Sequence, residues 1–194
     1  MARPRAFDEA TALQHAMHLF WKQGYAGTSL DDLVAGTGLN RASLYATFGD
    51  KHQLYLRALG EYQAARQQEV LALTADPAQP ALYQLRQLLE LTVRHTQASE
   101  DRRGCFLVNA TTERLPHDAD TQQLLSAHQQ FLEETLTAVL TRGQVRGEVR
   151  STAAPQAQAR FLIGVLTGAC VLAKLSADAQ LVRDAVNTAL LALA

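Results

Sequence analysis

Apolar residues recur along this chain at intervals of three and four, the period of helices buried on one face. Leu13, Met17, Phe20 and Trp21 mark a first helix predicted from Asp8 to about Gln23, with Asp8 and Glu9 at its positive end and Gly24 as its stop. Ser29, with Asp32 three residues on, forms a capping-box-like start for a second helix, whose stripe is Leu30, Leu33 and Val34 and whose turn is Gly38. Asn40 is a preferred N-cap and opens a short third helix with Leu44 and Phe48 inward. Asp50 caps a fourth helix to about Leu73, and the prolines of residues 74–81 make a connection.

Leu82, Leu85, Leu88, Leu89 and Val93 mark a fifth helix, and Cys105 to about Arg114 a short sixth after Gly104. The seventh is carried by Leu124, His128, Phe131, Leu132, Thr135 and Val139. The eighth is predicted from Pro155 to about Lys174 and the ninth from about Ala177 to Leu193. The expectation is an all-α protein with a three-helix N-terminal head (residues 1–50) and a helical body (residues 51–194).

The third helix poses a question. A helix of two turns is marginal in water, so its neighbours must hold it. It nevertheless carries Arg41, Ser43, Tyr45 and Thr47 on its polar positions. Helix two, a glycine turn and this short helix form a helix-turn-helix, whose second helix enters the DNA major groove. Arg41 can donate a fork to guanine or phosphate, and Ser43 and Thr47 offer short hydroxyls. Tyr45 can reach a phosphate with its hydroxyl while its ring packs on the domain. Thr28 lies just before helix two, and Lys51 adds charge to the start of helix four. The competing reading places Tyr45 in a core of a helix-turn-helix that binds no DNA.

Composition narrows the classes. Of 194 residues 47% are hydrophobic, enough for a real core, and the net charge of -1 excludes a polybasic nucleic-acid binder. Residues 1–57 carry six basic against five acidic side chains, net +1, so non-specific DNA affinity should be modest and steeply salt-dependent. Arg3 and Arg5 are open to two readings, a minor-groove arm or a solvated tail. No apolar segment follows them, so no signal peptide is expected. The longest charge-free apolar run, residues 161–173, is shorter than a membrane span. Cys105 and Cys170 are too few for a disulfide framework, which favours the cytoplasm. No cofactor and no metal site are expected.

The stretch "GYAGTSLDDLVAGTGLNRASLYATFGDKHQLY" resembles the N-terminal signature of the tetracycline-repressor (TetR) family. Gly24-Tyr25, Thr28, Gly38, Leu44-Tyr45, Phe48 and Lys51 carry the resemblance, which spans about Phe7 to Leu59. It implies a homodimeric repressor that binds a palindromic double-stranded operator and whose helical body takes a small-molecule effector. It also implies phosphate contacts by Thr28, Tyr45 and Lys51, and base contacts by Arg41, Ala42, Ser43 and Thr47.

In the body, the apolar eighth and ninth helices carry more apolar surface than one protomer buries, with Gly164 and Gly168 spaced for close helix approach. They are the expected dimer interface. An effector pocket is expected among helices four to eight, with candidate linings Tyr62, Leu89, Val93, Phe106, Asn109, Phe131 and Thr135. Cys105 follows Arg102, Arg103 and Gly104 at a helix start, and both the charge and the free N–H groups favour thiolate. The segment resembles the sixth helix of TetR-family sensors of electrophiles and hypochlorite, in which a lysine of the eighth helix meets the cysteine. Lys174 holds that place. Cys105 is thus a candidate thiol-reactive effector site, or a small apolar residue packed in the bundle; Cys170 is expected in the core. A thiol-dependent enzyme using Cys105 with His95 or Lys174 is the alternative, and it leaves residues 37–55 unexplained.

Overall fold

The computed structural model describes residues 8–97, 102–151, 153–176 and 178–194, and among them every regular element is a helix. The order is α1 (Glu9–Gly27), α2 (Leu30–Thr37), α3 (Arg41–Phe48), α4 (Lys51–Thr74), α5 (Ala81–Gln97), α6 (Phe106–Arg114), α7 (Ala119–Val145), α8 (Pro155–Leu175) and α9 (Ala179–Leu193). Arg3 and Arg5, the candidate arm, lie outside the described residues, as does Ala177.

Side-chain caps set most of the starts. Asp8, Ser29, Asn40, Asp50 and Asp118 each accept a backbone N–H of the first turn, and Ser29 with Asp32 completes a reciprocal capping box. One start and one end differ from the periodicity. α7 begins at Ala119 rather than near Leu124, because Asp118 caps a first turn that is polar and has no apolar stripe. The α1 segment continues as a further turn to Gly27 across a break at Gly24 (φ 76°). A side chain at Gly24 is disfavoured twice over, since its Cβ would also stand 2.9 Å from the Glu113 carboxylate.

Two apolar cores form. The first joins α1 (Ala16, Met17, Phe20), α2 (Leu33), α3 (Leu44, Phe48) and α4 (Leu54, Tyr55, Leu59, Tyr62) to α6 (Phe106, Leu107, Ala110). Within it Phe106 meets Tyr55 and Tyr62 edge-on, each at 5.8 Å between ring centroids. The head is therefore packed on α6, not merely tethered to the body. The second core is built by α5, α7, α8 and α9 around Leu85, Leu89, Leu136, Leu140 and Leu162.

α8 departs from the reading of its 13-residue apolar run. Over its best window its mean hydropathy is 1.4, so the helix is long and apolar enough by composition to cross a membrane. Only 39% of that window is buried, and Phe161, Val171 and Leu175 face outward beside Gly164 and Gly168, where an added Cβ would meet nothing within 4 Å.

Candidate DNA interface and thiol-lined cavity

α3 is held from below and free above. Leu44 and Phe48 are buried, while Arg41, Ala42, Tyr45 and Ala46 are exposed and Ser43 and Thr47 half-exposed. Asn40 accepts the Ser43 N–H at 2.8 Å, and Gly38 (φ 70°) turns the chain between α2 and α3 in the left-handed region. Tyr45 keeps 44% exposure, which removes the reading of it as a core ring. Arg41 Nη2 reaches Asp31 at 3.3 Å with both side chains exposed. Such a surface pair is worth at most about 1 kcal/mol, so a phosphate or guanine can displace it.

The sequence missed Arg57, because the residue sits on α4, outside the helix-turn-helix. It donates to the Thr47 carbonyl at 3.3 Å, lies over the Phe48 ring and pairs with Glu9, so it clips the end of α3 to the head.

Two candidate contacts stand differently from the expectation. Thr28 is buried, and its hydroxyl donates to the Gly24 carbonyl at 2.7 Å. It braces the turn before α2 instead of presenting a free hydroxyl. Lys51 is half-buried, with Nζ 4.4 Å from the centroid of Tyr25. Burial lowers its pKa; Glu113 opposes that shift and Arg114 adds to it.

Glu113 and Arg114 belong to α6, and they join it to the head. Glu113 accepts the backbone N–H groups of Tyr25 (2.9 Å) and Ala26 (2.8 Å), and Arg114 lies 4.0 Å from the centroid of Tyr25. At the other end of α6, Trp21 Nε1 donates to the Gly104 carbonyl at 3.1 Å. α6 is thus strapped to α1 at both ends, across separations in sequence that no local pattern reveals.

Cys105 is the N-cap residue of α6 and is half-buried. Its thiol is pushed down to about 6, first by a hydrogen bond from Cys170, with burial opposing and the Val108 N–H and Tyr62 hydroxyl adding. Tyr62 Oη lies 3.8 Å from its Sγ. The Cys170 thiol moves up, through its hydrogen bond with Cys105 and through burial. Cys170 is buried, as expected of a core residue, and its thiol also interacts with Cys105. Lys174 is bonded elsewhere. Its stem packs where a Gly104 Cβ would stand, and its ammonium donates to Asn109 Oδ1 at 3.0 Å. His95 is engaged by Arg66 and Glu69. Neither residue expected to assist a Cys105 enzyme is bonded to Cys105.

Cys105 and Cys170 line a cavity of about 400 Å³ among α4, α5, α6, α7 and α8. Of the seven linings expected, Tyr62 is there. Leu89, Val93 and Phe106 are spent in the cores, and Asn109 holds Lys174 and the Arg103 carbonyl. Apolar stripes point to cores; this cavity is marked by polar residues, Arg66, Glu69, His95 and His128.

His52, Asp118 and Asp120 bring three ligand atoms within 4.8 Å of one another, which the sequence did not suggest. Asp118 already accepts from Arg114 (2.6 and 2.9 Å) and from the Thr121 N–H and hydroxyl, and these contacts hold it near 2 against the opposing effect of burial. Its oxygens serve the α6–α7 corner.

Comparison with known proteins accords with this geometry. Residues 12–58 match the family model described as bacterial regulatory proteins, tetR family, and residues 81–189 match the tetracyclin repressor-like C-terminal domain. The HTH-type transcriptional repressor ComR of Escherichia coli K12 is 32% identical over 97% of this chain and 90% of its own. The uncharacterized HTH-type transcriptional regulator YezE of Bacillus subtilis is 29% identical over 98% of each chain. Among solved structures, a cysteine mutant of the regulator CifR, complexed with 26bp double-strand operator DNA, superposes with a TM-score of 0.86. It is 32% identical, with 100% of both chains covered.

Proposed function

Because this chain belongs to the TetR family of DNA-binding transcriptional regulators, we propose that it acts in the cytoplasm as a homodimeric repressor of a palindromic operator. A small molecule in the α4–α8 cavity, or a thiol-reactive one at Cys105, releases it. The observation that carries this reading is α3, a two-turn helix whose Leu44 and Phe48 are buried while Arg41 and Tyr45 are presented outward. Arg41, Ala42, Ser43 and Thr47 are assigned to base edges, and Tyr45 and Lys51 to phosphates; Thr28 is assigned to bracing α2. Residues 1–50 form the DNA-binding head and residues 51–194 the effector and dimer body, with α6 as the strap that transmits change between them. No enzymatic role is assigned.

Gel-shift titration tests the head. Arg41→Ala should cost about 1–3 kcal/mol and relax preference at one base pair, whereas Tyr45→Phe should weaken all sequences about equally. Wild-type affinity in both variants would remove α3 from the interface. The operator itself is obtained by sequencing the DNA fragments the protein retains from its own genome.

Dimerisation is assigned to α8 and α9, where Phe161, Val171, Leu175 and Leu191 are exposed. The two recognition helices must then lie about 34–36 Å apart, or a multiple of it, to meet successive major grooves. Gly168→Leu fills the open space beside that face and should give monomer or aggregate by light scattering. A normal dimer would place the interface elsewhere.

A further inference from the structure

Cys105 and Cys170 come together where the two cores adjoin. α6 carries Phe106 and Leu107 into the core shared with the head, and α8 carries Ala169 and Ala173 into the core of the body. The chain enters α6 through Gly104 (φ 68°), where an added Cβ would stand 3.2 Å from the Cys170 carbonyl oxygen, so the two backbones lie close. Cys105 is the next residue. Its thiol and that of Cys170 are hydrogen-bonded to each other, and both line the cavity of about 400 Å³. Resting on the reading of Cys105 as a thiol-reactive effector site, we propose that oxidation joins Cys105 to Cys170 in a reversible disulfide within one protomer, Cys105 attacking the oxidant and Cys170 resolving the product.

The surroundings divide the roles. Cys105 is half-buried at a helix start, and the Tyr62 hydroxyl, a donor that favours thiolate, stands 3.8 Å from its Sγ. Cys170 is buried inside α8, so a small oxidant meets Cys105 first. The cavity opens between α6 and α7, where the lining residues Thr111, Ser126 and Gln129 are exposed. With a hydroperoxide, the Cys105 thiolate takes one oxygen, the O–O bond breaks and hydroxide leaves, giving a sulfenic acid. The Cys170 sulfur then displaces that oxygen as water, its own proton leaving with it, and the S–S bond forms. The two thiols give up two electrons and two protons, and hydrogen peroxide becomes two waters. Lys174 is spent on Asn109 at 3.0 Å, which leaves Cys170 as the nucleophile in contact with Cys105. A disulfide needs a closer approach of the sulfurs than a hydrogen bond does. Closing it pulls on Gly104, whose carbonyl Trp21 of α1 holds.

The test treats the full-length protein with hydrogen peroxide at neutral pH, blocks the remaining thiols with N-ethylmaleimide and maps the unreduced digest by mass spectrometry. A peptide pair joining Cys105 to Cys170, lighter than its two parts by two hydrogen atoms and split by dithiothreitol, should be the main oxidised product. In Cys170→Ala that pair is lost, and dimedone should capture Cys105 as its sulfenic acid far more than in wild type, where Cys170 consumes it. Cys105 left reduced, oxidised without a partner, bonded to Lys174 or joined to Cys105 of a second copy would overturn the proposal. The wild-type map needs no variant and stands if Cys170→Ala fails to fold. Gel shifts on the same samples separate the two readings: a Cys105–Cys170 bond with the operator still held supports the disulfide and overturns Cys105 as the effector site.

Discussion

Leu44→Ala is expected to destabilise the protein by about 2–5 kcal/mol, the cost of deleting a fully buried leucine and leaving a cavity. Leu44 has no exposed surface and packs in the core that holds Leu33, Phe48, Leu54 and Tyr55. α3 has eight residues, too few to persist alone in water, so packing and not propensity keeps it helical. The same substitution therefore strikes function twice: it lowers global stability and it lets the recognition helix fray. For a chain of this size the melting temperature should fall by roughly 4–20 °C. Operator affinity below the melting point should fall further than in Tyr45→Phe, which removes a single contact. Circular dichroism melts and gel shifts on the two variants measure both. A melting temperature within a degree of wild type would mean that α3 is held by something other than this core.

The head was legible because its signals are local. Ser29 with Asp32, Asn40 and Asp50 each announce a helix within four residues, and the structure places α2, α3 and α4 on those caps. α7 shows the limit of periodicity: its first turn is polar, and only Asp118 marks it. The cavity was less legible for a related reason. A stripe of leucines marks a buried face, but whether that face meets a helix or a void depends on how helices distant in sequence cross. Leu89 and Val93 met helices; Arg66 and His128 met the void. Contacts across long separations were invisible altogether. Nothing near Glu113 indicates that it caps Tyr25 and Ala26, and nothing near Cys105 points to Cys170.

That last pair sets the other large expectation. A hydrogen bond from the Cys170 thiol lowers the pKa of Cys105, so Cys105 should titrate near 6 while an ordinary cysteine titrates at about 8.5. Alkylation by iodoacetamide reads this directly: the thiolate sulfur forms the bond to carbon and iodide leaves, so the rate follows the ionised fraction as pH rises. The wild-type rate should reach half its plateau near pH 6. In Cys170→Ala the donor is gone while burial, which opposes ionisation, remains, so the midpoint should move up by about two units or more. The midpoint is the better observable than the rate at pH 7, because a thiolate of low pKa is also a weaker nucleophile, which offsets much of its larger population. Mass spectrometry of the Cys105 peptide across pH 5–9 gives both curves. A wild-type midpoint near 9, or one that Cys170→Ala leaves in place, would make the thiol structural. Titrating operator release with hypochlorite, peroxide and a quinone then ties the chemistry to function. Oxidised or alkylated Cys105 gains bulk at the start of α6, beside the Gly104 carbonyl that Trp21 holds and ahead of buried Phe106. Since α6 is fastened to α1 again through Glu113, a shift at that end should move the head. Cys105→Ser should therefore hold DNA at doses that release wild type, and equal release by the two would assign the effect to another site.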